Sequence, residues 1–164
     1  MTPIEEMVAI EEIKQTKARY WRTMDRRLWD EYEKCFTDDC VFDVSMSHIM
    51  TEIGRMPRPD DPGAEPAYVL HGATAIREFV EKLLAGVRSV HQGHIAEIDV
   101  TSPTTATAIF PFEDVLDFPE GVSPRHIHGF GHYHETYRCI AGRWKIATLT
   151  IYRLRVTTTD SDYI

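Results

Sequence analysis

Apolar side chains recur at intervals of three and four from Ile4 through Met7, Ile10 and Ile13 to Tyr20, Met24 and Leu28. That spacing predicts an amphipathic helix over residues 4–24, with Thr2-Pro3, Glu5 and Glu6 as its N-terminal cap. A second, shorter helix is expected around Leu28–Phe36, ended by Asp38-Asp39, with Val41-Phe42-Asp43-Val44 following as a strand. Residues 45–66 break the pattern with Pro57, Pro59, Pro62, Pro66, two glycines and the pair Asp60-Asp61, so most of this stretch reads as loop. A loop of this length is either a solvated insertion or a lid. As a lid, it would carry Met46, Ile49, Met50 and Ile53 in a turn or two of helix over a pocket mouth.

Ile76, Phe79, Val80, Leu83 and Leu84 place a third helix over Ala73–Ala85, closed by Gly86. From Val87 onward the period drops to two, most clearly at Ala106, Ala108, Phe110 and Phe112 and again at Trp144, Ile146 and Thr148. Strands are expected near 88–100, 104–118, 126–140 and 143–156, joined by turns at Ser102-Pro103, Pro119–Pro124 and Ala141-Gly142. The polar tail Thr157–Ile164 is expected to fray. Helices first and long meandering strands afterwards predict an α+β fold, with the helices packed on a strongly curved, mostly antiparallel sheet in one domain, 1–164.

Composition narrows the function classes. At 164 residues, 43% apolar and 27% charged, the chain can bury roughly 70% of its unfolded surface without metal or disulfide staples. A net charge of −8 with scattered Lys and Arg argues against a nucleic-acid partner, which needs a basic stripe. Cys35, Cys40 and Cys139 are odd in number and irregular in spacing, and so read as free thiols of a reducing compartment. No apolar run approaches the ~20 residues of a membrane span, and the acidic N-terminus is unlike a signal peptide. A cytoplasmic protein without a membrane partner is the expectation.

Seven of the eight histidines fall between residues 71 and 134. His126, His128, His132 and His134 alternate along one strand, so they share a face. His-x-His is a spacing that can converge on a metal ion, but Glu135 points to the opposite face and no fourth ligand is well placed. A histidine-rich face in solvent or at a subunit contact is the simpler reading, and neither metal nor cofactor is expected.

The segments Ile13–Asp25 and Trp29–Phe42, then His71–Phe79 with Ser89-Val-His91-Gln-Gly-His94, and finally Gly142–Ile146 with Tyr152-Arg153-Leu154, resemble the SnoaL-like branch of the NTF2-like superfamily. The resemblance covers most of residues 4–156 except the insertion. It implies a cone whose pocket lies between sheet and helices, and a homo-oligomer, dimer or trimer. Tyr20, Asp25 and His91 match the Tyr, Asp and His of the bile-acid 7α-dehydratase type, whereas scytalone dehydratase has an aspartate where Trp21 stands.

Those three residues suit a dehydratase, isomerase or cyclase acting on a small hydrophobic carbonyl compound such as a steroid or polyketide. His91 would take the acidic C–H proton, Tyr20 would donate to the enolate oxygen, and Asp25 would orient the imidazole. The carriers of substrate binding would be Trp21, Phe42, His94, Phe110, Phe112, Asp114 and Arg153. His94 needs a bulge at Gly93 to face inward, and Asp114 interrupts an apolar face where a carboxylate must be paired. Blander readings stay open: Tyr20 as core, Asp25 as a surface ion pair with Arg22, Arg26 or Arg27, His91 as a structural histidine, Arg153 as a surface residue. So do two other functions, a non-catalytic ligand-binding or assembly module and the small subunit of a ring-hydroxylating dioxygenase.

Overall fold

The computed structural model describes residues 1–45, 47 and 69–160. Helix α1 runs Pro3–Asp25 and α2 Trp29–Glu33, then strand β1 Phe36–Asp43 and β2 Val69–His71, followed by helix α3 Ala73–Leu83. Five strands follow: β3 Arg88–Gly93, β4 Glu97–Ser102, β5 Thr105–Asp117, β6 His126–Ile140 and β7 Arg143–Thr159. They form one curved, open sheet in the order β2-β1-β7-β6-β5-β3, with β4 also paired to β5. Among the described residues all pairings are antiparallel except β1 with β7. This is the α+β cone expected from the sequence, with the helices covering the inner face.

Thr2 caps α1 through a reciprocal box, its hydroxyl accepting from the Glu5 N–H while the Glu5 carboxylate accepts from the Thr2 N–H. The buried face of α1 follows the expected stripe at Ile13, Tyr20 and Met24 but not at its start. Ile4 and Met7 are exposed, and the face turned to the sheet carries Ala9, Ile13, Thr16, Lys17, Tyr20, Thr23 and Met24. Polar members are tolerated there because each has a partner, as when Thr16 Oγ1 donates to the Trp144 carbonyl at 2.8 Å.

Three expected boundaries need correction. The second helix is a single turn that stops at Glu33, and β1 begins at Phe36, so Asp38 and Asp39 lie inside the strand rather than before it. The strand expected over 88–100 is two, β3 and β4, which pair with successive stretches of β5. The break falls where the His94 N–H donates to the Pro111 carbonyl and Ile95 turns outward, almost fully exposed. Thr157–Thr159 do not fray, because they pair with β6 as the end of β7. The lid expected from Met46, Ile49 and Met50 falls outside the described residues. No described helix is long and apolar enough to cross a membrane.

Candidate active site

Between α1, α3 and the inner face of the sheet lies a cavity of about 70 Å³. Met24, Phe42, Val80, Leu116 and Ile151 supply apolar wall, and Tyr20, His91, Asp114, Tyr133 and Arg153 supply the polar groups.

The end of α1 determines how Tyr20 and Asp25 both reach it. Five residues on a regular helix turn by about 140°, so the two cannot share a helix face. The helix ends at Asp25. The Arg27 N–H donates to the Met24 carbonyl at 3.2 Å and the Leu28 N–H to the Thr23 carbonyl at 2.9 Å, the two bonds of a Schellman closure. Arg27 takes the left-handed position (φ 58°) where glycine is usual, a conformation that costs roughly 1 kcal/mol or more for a residue with a Cβ. Its guanidinium offsets that cost by donating to the Met24 carbonyl at 2.6 Å, to Ser89 Oγ at 2.9 Å and to the Val87 carbonyl. Arg27 thereby clamps the end of α1 to β3 and to the turn after α3.

The Asp25 carboxylate then meets three donors of β3. Oδ1 accepts from Ser89 Oγ at 2.8 Å and lies 2.7 Å from His91 Nδ1, while Oδ2 accepts from the His91 backbone N–H at 2.8 Å. A carboxylate facing Nδ1 fixes the tautomer with the proton there and leaves Nε2 as the acceptor. That nitrogen sits 3.9 Å from Asp114 Oδ2, on the cavity wall.

Asp114 is 1% exposed and forms a two-pronged pair with Arg153, Nη1 to Oδ1 at 2.7 Å and Nη2 to Oδ2 at 2.5 Å. Burial alone would lower the Arg153 pKa, but the Asp114 carboxylate outweighs it and holds the guanidinium charged beyond its ordinary range. Gly129 makes the pair possible. A Cβ there would lie 1.9 Å from Arg153 Nη1 and 2.6 Å from Asp114 Oδ1.

Tyr20 is 1% exposed and packs edge-on to Tyr133, ring centroids 6.0 Å apart. Burial pushes both hydroxyls well above the ordinary tyrosine range, so at neutral pH they are neutral donors. The sequence reading missed Tyr133, because only strand register reveals that it faces Tyr20.

Of the expected site residues, Tyr20, Phe42, His91, Asp114 and Arg153 reach the cavity and Asp25 stands behind His91. Four others do not line it. Trp21 packs over Gly93 and against Phe110, ring centroids 5.8 Å apart. Phe110 and Phe112 are core, the latter tilted against Tyr133 with ring centroids 4.3 Å apart. His94 is exposed, 3.9 Å from Glu113, because no bulge at Gly93 turns it inward.

The even-numbered histidines of β6 do not converge. His126 Nδ1 meets Asp117 at 2.7 Å, His128 Nε2 meets Glu113 at 3.0 Å, and His134 lies against Tyr152 at 4.6 Å. Among the described residues no three His, Cys, Asp or Glu side chains are grouped as a metal site requires.

A family model described as a SnoaL-like domain matches residues 5–150. Among solved structures, a candidate scytalone dehydratase from Novosphingobium aromaticivorans DSM 12444 superposes with a TM-score of 0.76 at 16% identity, covering 99% of this chain and 94% of that one. A hexachlorocyclohexane dehydrochlorinase (LinA type 3) from Novosphingobium barchaimii LL02 gives 0.77 at 14%, covering 99% and 98%. A candidate aromatic ring hydroxylase from Novosphingobium aromaticivorans gives 0.73 at 21%, covering 97% and 96%. At these identities the likeness is one of fold.

Proposed function

The chain belongs to the SnoaL-like family of the NTF2-like superfamily, and from that premise we propose that it is a cofactor-independent lyase that eliminates water from a compact, apolar β-hydroxycarbonyl compound. The observation that carries this reading is the orientation of His91, with Nδ1 held by Asp25 at 2.7 Å and Nε2 turned to the cavity.

His91 Nε2 takes the proton α to the carbonyl, and the electron pair left on carbon moves onto the carbonyl oxygen as an enolate. Tyr20, with Tyr133 beside it, donates to that oxygen from a site where burial keeps the hydroxyl protonated. The enolate collapses to the α,β-unsaturated carbonyl as the β C–O bond breaks. The imidazolium returns its proton to the departing hydroxide, so water leaves and the base is regenerated. Asp25 stabilises the imidazolium between the two transfers. Asp114, held by Arg153, keeps a fixed charge beside Nε2 and favours the cationic state of the ring at the same stage. Elimination also fits the chemistry named for two of the similar structures, a dehydratase and a dehydrochlorinase.

A cavity of about 70 Å³ lies well below the roughly 300–1,000 Å³ of drug-sized pockets. A substrate of steroid or polyketide size therefore needs Phe79 and Leu83 to swing outward, whereas a single ring needs less. The test is 3-hydroxycyclohexanone, whose dehydration product is followed by enone absorbance. Turnover that falls about 10²–10⁴-fold in His91→Ala supports the reading, and equal rates in the two proteins refute it.

A further inference from the structure

One buried cation plays no part in that mechanism. Lys17 is fully buried, one helical turn before Tyr20, and its ammonium is enclosed by aromatic rings. Nζ lies 3.5 Å from the centroid of Tyr133 and 4.0 Å from that of Tyr20, with Trp21 at 4.9 Å and Phe110 at 5.7 Å. Among the described residues its ion partner is Glu135 of β6, Oε1 at 2.5 Å, whose other oxygen accepts from the Tyr137 hydroxyl at 2.6 Å. Packing does not call for a charge here. A buried ion pair commonly contributes no more stability than apolar residues of the same volume. The two rings nearest the ammonium are those of the two tyrosines that line the cavity.

We propose that Lys17 is a positioning residue for the oxyanion donors, its ammonium seated behind the Tyr20 and Tyr133 rings so that this hydrogen-bonded pair of phenols donates more strongly into the cavity. The inference rests on the dehydratase reading above. A cation against the face of a phenol ring withdraws electron density from it. The partial negative charge that builds on the phenol oxygen when it donates to an enolate is thereby stabilised. Glu135 keeps the site neutral overall: Oε1 is bonded to the ammonium and Oε2 accepts from the Tyr137 hydroxyl, while the charge it still presents to Tyr20 works against the lysine.

The device can be switched by protons. Burial lowers the Lys17 pKa to about 8, with Glu135 opposing the shift. The titratable groups facing it are Glu135, Tyr133 and Tyr137 from β6, Tyr20 from α1, and Cys35 before β1. Burial raises Cys35 to about 11 and the three tyrosines well above their ordinary range, so Lys17 titrates before the thiol or any of these phenols. Above about pH 8 the lysine is neutral and the polarisation is lost.

The test uses Lys17→Met together with Glu135→Gln, which removes both charges and leaves neither buried alone. Protein carrying 3-fluorotyrosine, with resonances assigned through Tyr20→Phe and Tyr133→Phe, should show the fluorine signals of both tyrosines moving together near pH 8. That step should be absent in the double variant. With 3-hydroxycyclohexanone, kcat of the wild type should fall above about pH 8. The double variant should have kcat lower by about tenfold, less than the 10²–10³ of losing a donor outright, with KM little changed and no alkaline limb. Flat fluorine signals, a step that survives in the double variant, or an unchanged kcat would each overturn the proposal. The fluorine measurement needs no substrate, so failure of the dehydratase reading cannot be mistaken for failure of this one.

Discussion

Replacing Asp25 by Asn keeps the size of the side chain but not its bonding pattern. The carboxylate accepts from Ser89 Oγ, from the His91 N–H and from His91 Nδ1, at 2.7–2.8 Å each. An amide has one accepting oxygen and one donating nitrogen, so it can serve only one side of this arrangement. With its nitrogen toward the His91 backbone, two donors face each other. With its oxygen there instead, the nitrogen donates to Nδ1, and the imidazole proton must move to Nε2. The base would then present a proton to the substrate instead of a lone pair. Ser89 Oγ, which already accepts from Arg27 at 2.9 Å, could accept from the amide nitrogen as well, but its own O–H would then lose the carboxylate oxygen to which it donates. The wrong tautomer alone has been worth as much as about 10⁴ in kcat in the serine-protease triad, so a fall of about 10²–10⁴-fold is expected, with KM nearly constant. Loss of a charge-accepting hydrogen-bond site should cost about 1–3 kcal/mol of stability. Nitrogen-15 NMR of the imidazole reads the tautomer directly, as Nδ1–H in the wild type and Nε2–H in the variant. A variant with unchanged tautomer and full kcat would refute the reasoning.

Other consequences can be checked on the folded protein without substrate. Arg153→Met leaves Asp114 buried without its ion partner and should cost about 3–5 kcal/mol in urea unfolding, whereas Arg153→Met with Asp114→Asn should recover most of it. Gly129→Ala drives a methyl into the Arg153–Asp114 pair, within 1.9 Å of Nη1, and should cost about 1–3 kcal/mol. Gly142→Ala meets nothing within 4 Å and bears only the strain of φ +75°, about 1–2 kcal/mol. Stability should also turn over in alkali. With Lys17 lowered from 10.5 to about 8, the unfolded chain binds more protons between those values and stability rises with pH. Above about pH 10 the unfolded tyrosines ionise while the buried Tyr20, Tyr32, Tyr133 and Tyr137 resist, so stability falls. Urea midpoints measured across that range would show no maximum if either set of groups titrated normally.

The sequence disclosed the elements whose burial is periodic and apolar. α3 and β5 to β7 emerge close to their expected bounds, because alternation or helical spacing there coincides with what the sheet covers. α1 was legible as a helix and, at Ile13, Tyr20 and Met24, in its buried face, but Thr16, Lys17 and Thr23 are admitted there by partners that periodicity cannot see. Lys17 meets Glu135 across 118 residues. The same limit hid Tyr133 and the working of Arg27. In the His-rich stretch of β6 the eye is drawn to imidazoles at even positions. The inward contacts lie at the odd ones, where Gly129 leaves room for an ion pair and Tyr133 and Glu135 meet Lys17. Tyr20, Asp25 and His91 could be named through the resemblance of their spacing to a family. That Asp25 meets His91 depended on where α1 ends, which a left-handed arginine decides.

The place of β7 in the sheet has a consequence for synthesis. It follows every other described strand, yet it lies between β1 and β6, and its pairing with β1 is the one parallel contact among the described residues. On the ribosome, β5 and β6 can form their hairpin as soon as both emerge, since antiparallel neighbours close short loops. The N-terminal segment has less to work with, since the early partner of β1 among the described residues is the three-residue β2. α1 and β1 are made first, and the other edge of β1 waits until β7 arrives about a hundred residues later to cover it (Phe36 pairs with Ile146). At ordinary elongation rates of about 5–20 residues per second this interval lasts several seconds. Nascent chains arrested before β7 should therefore be the species that chaperones hold, and release of β7 the event that joins Arg153 to Asp114 and completes the cavity.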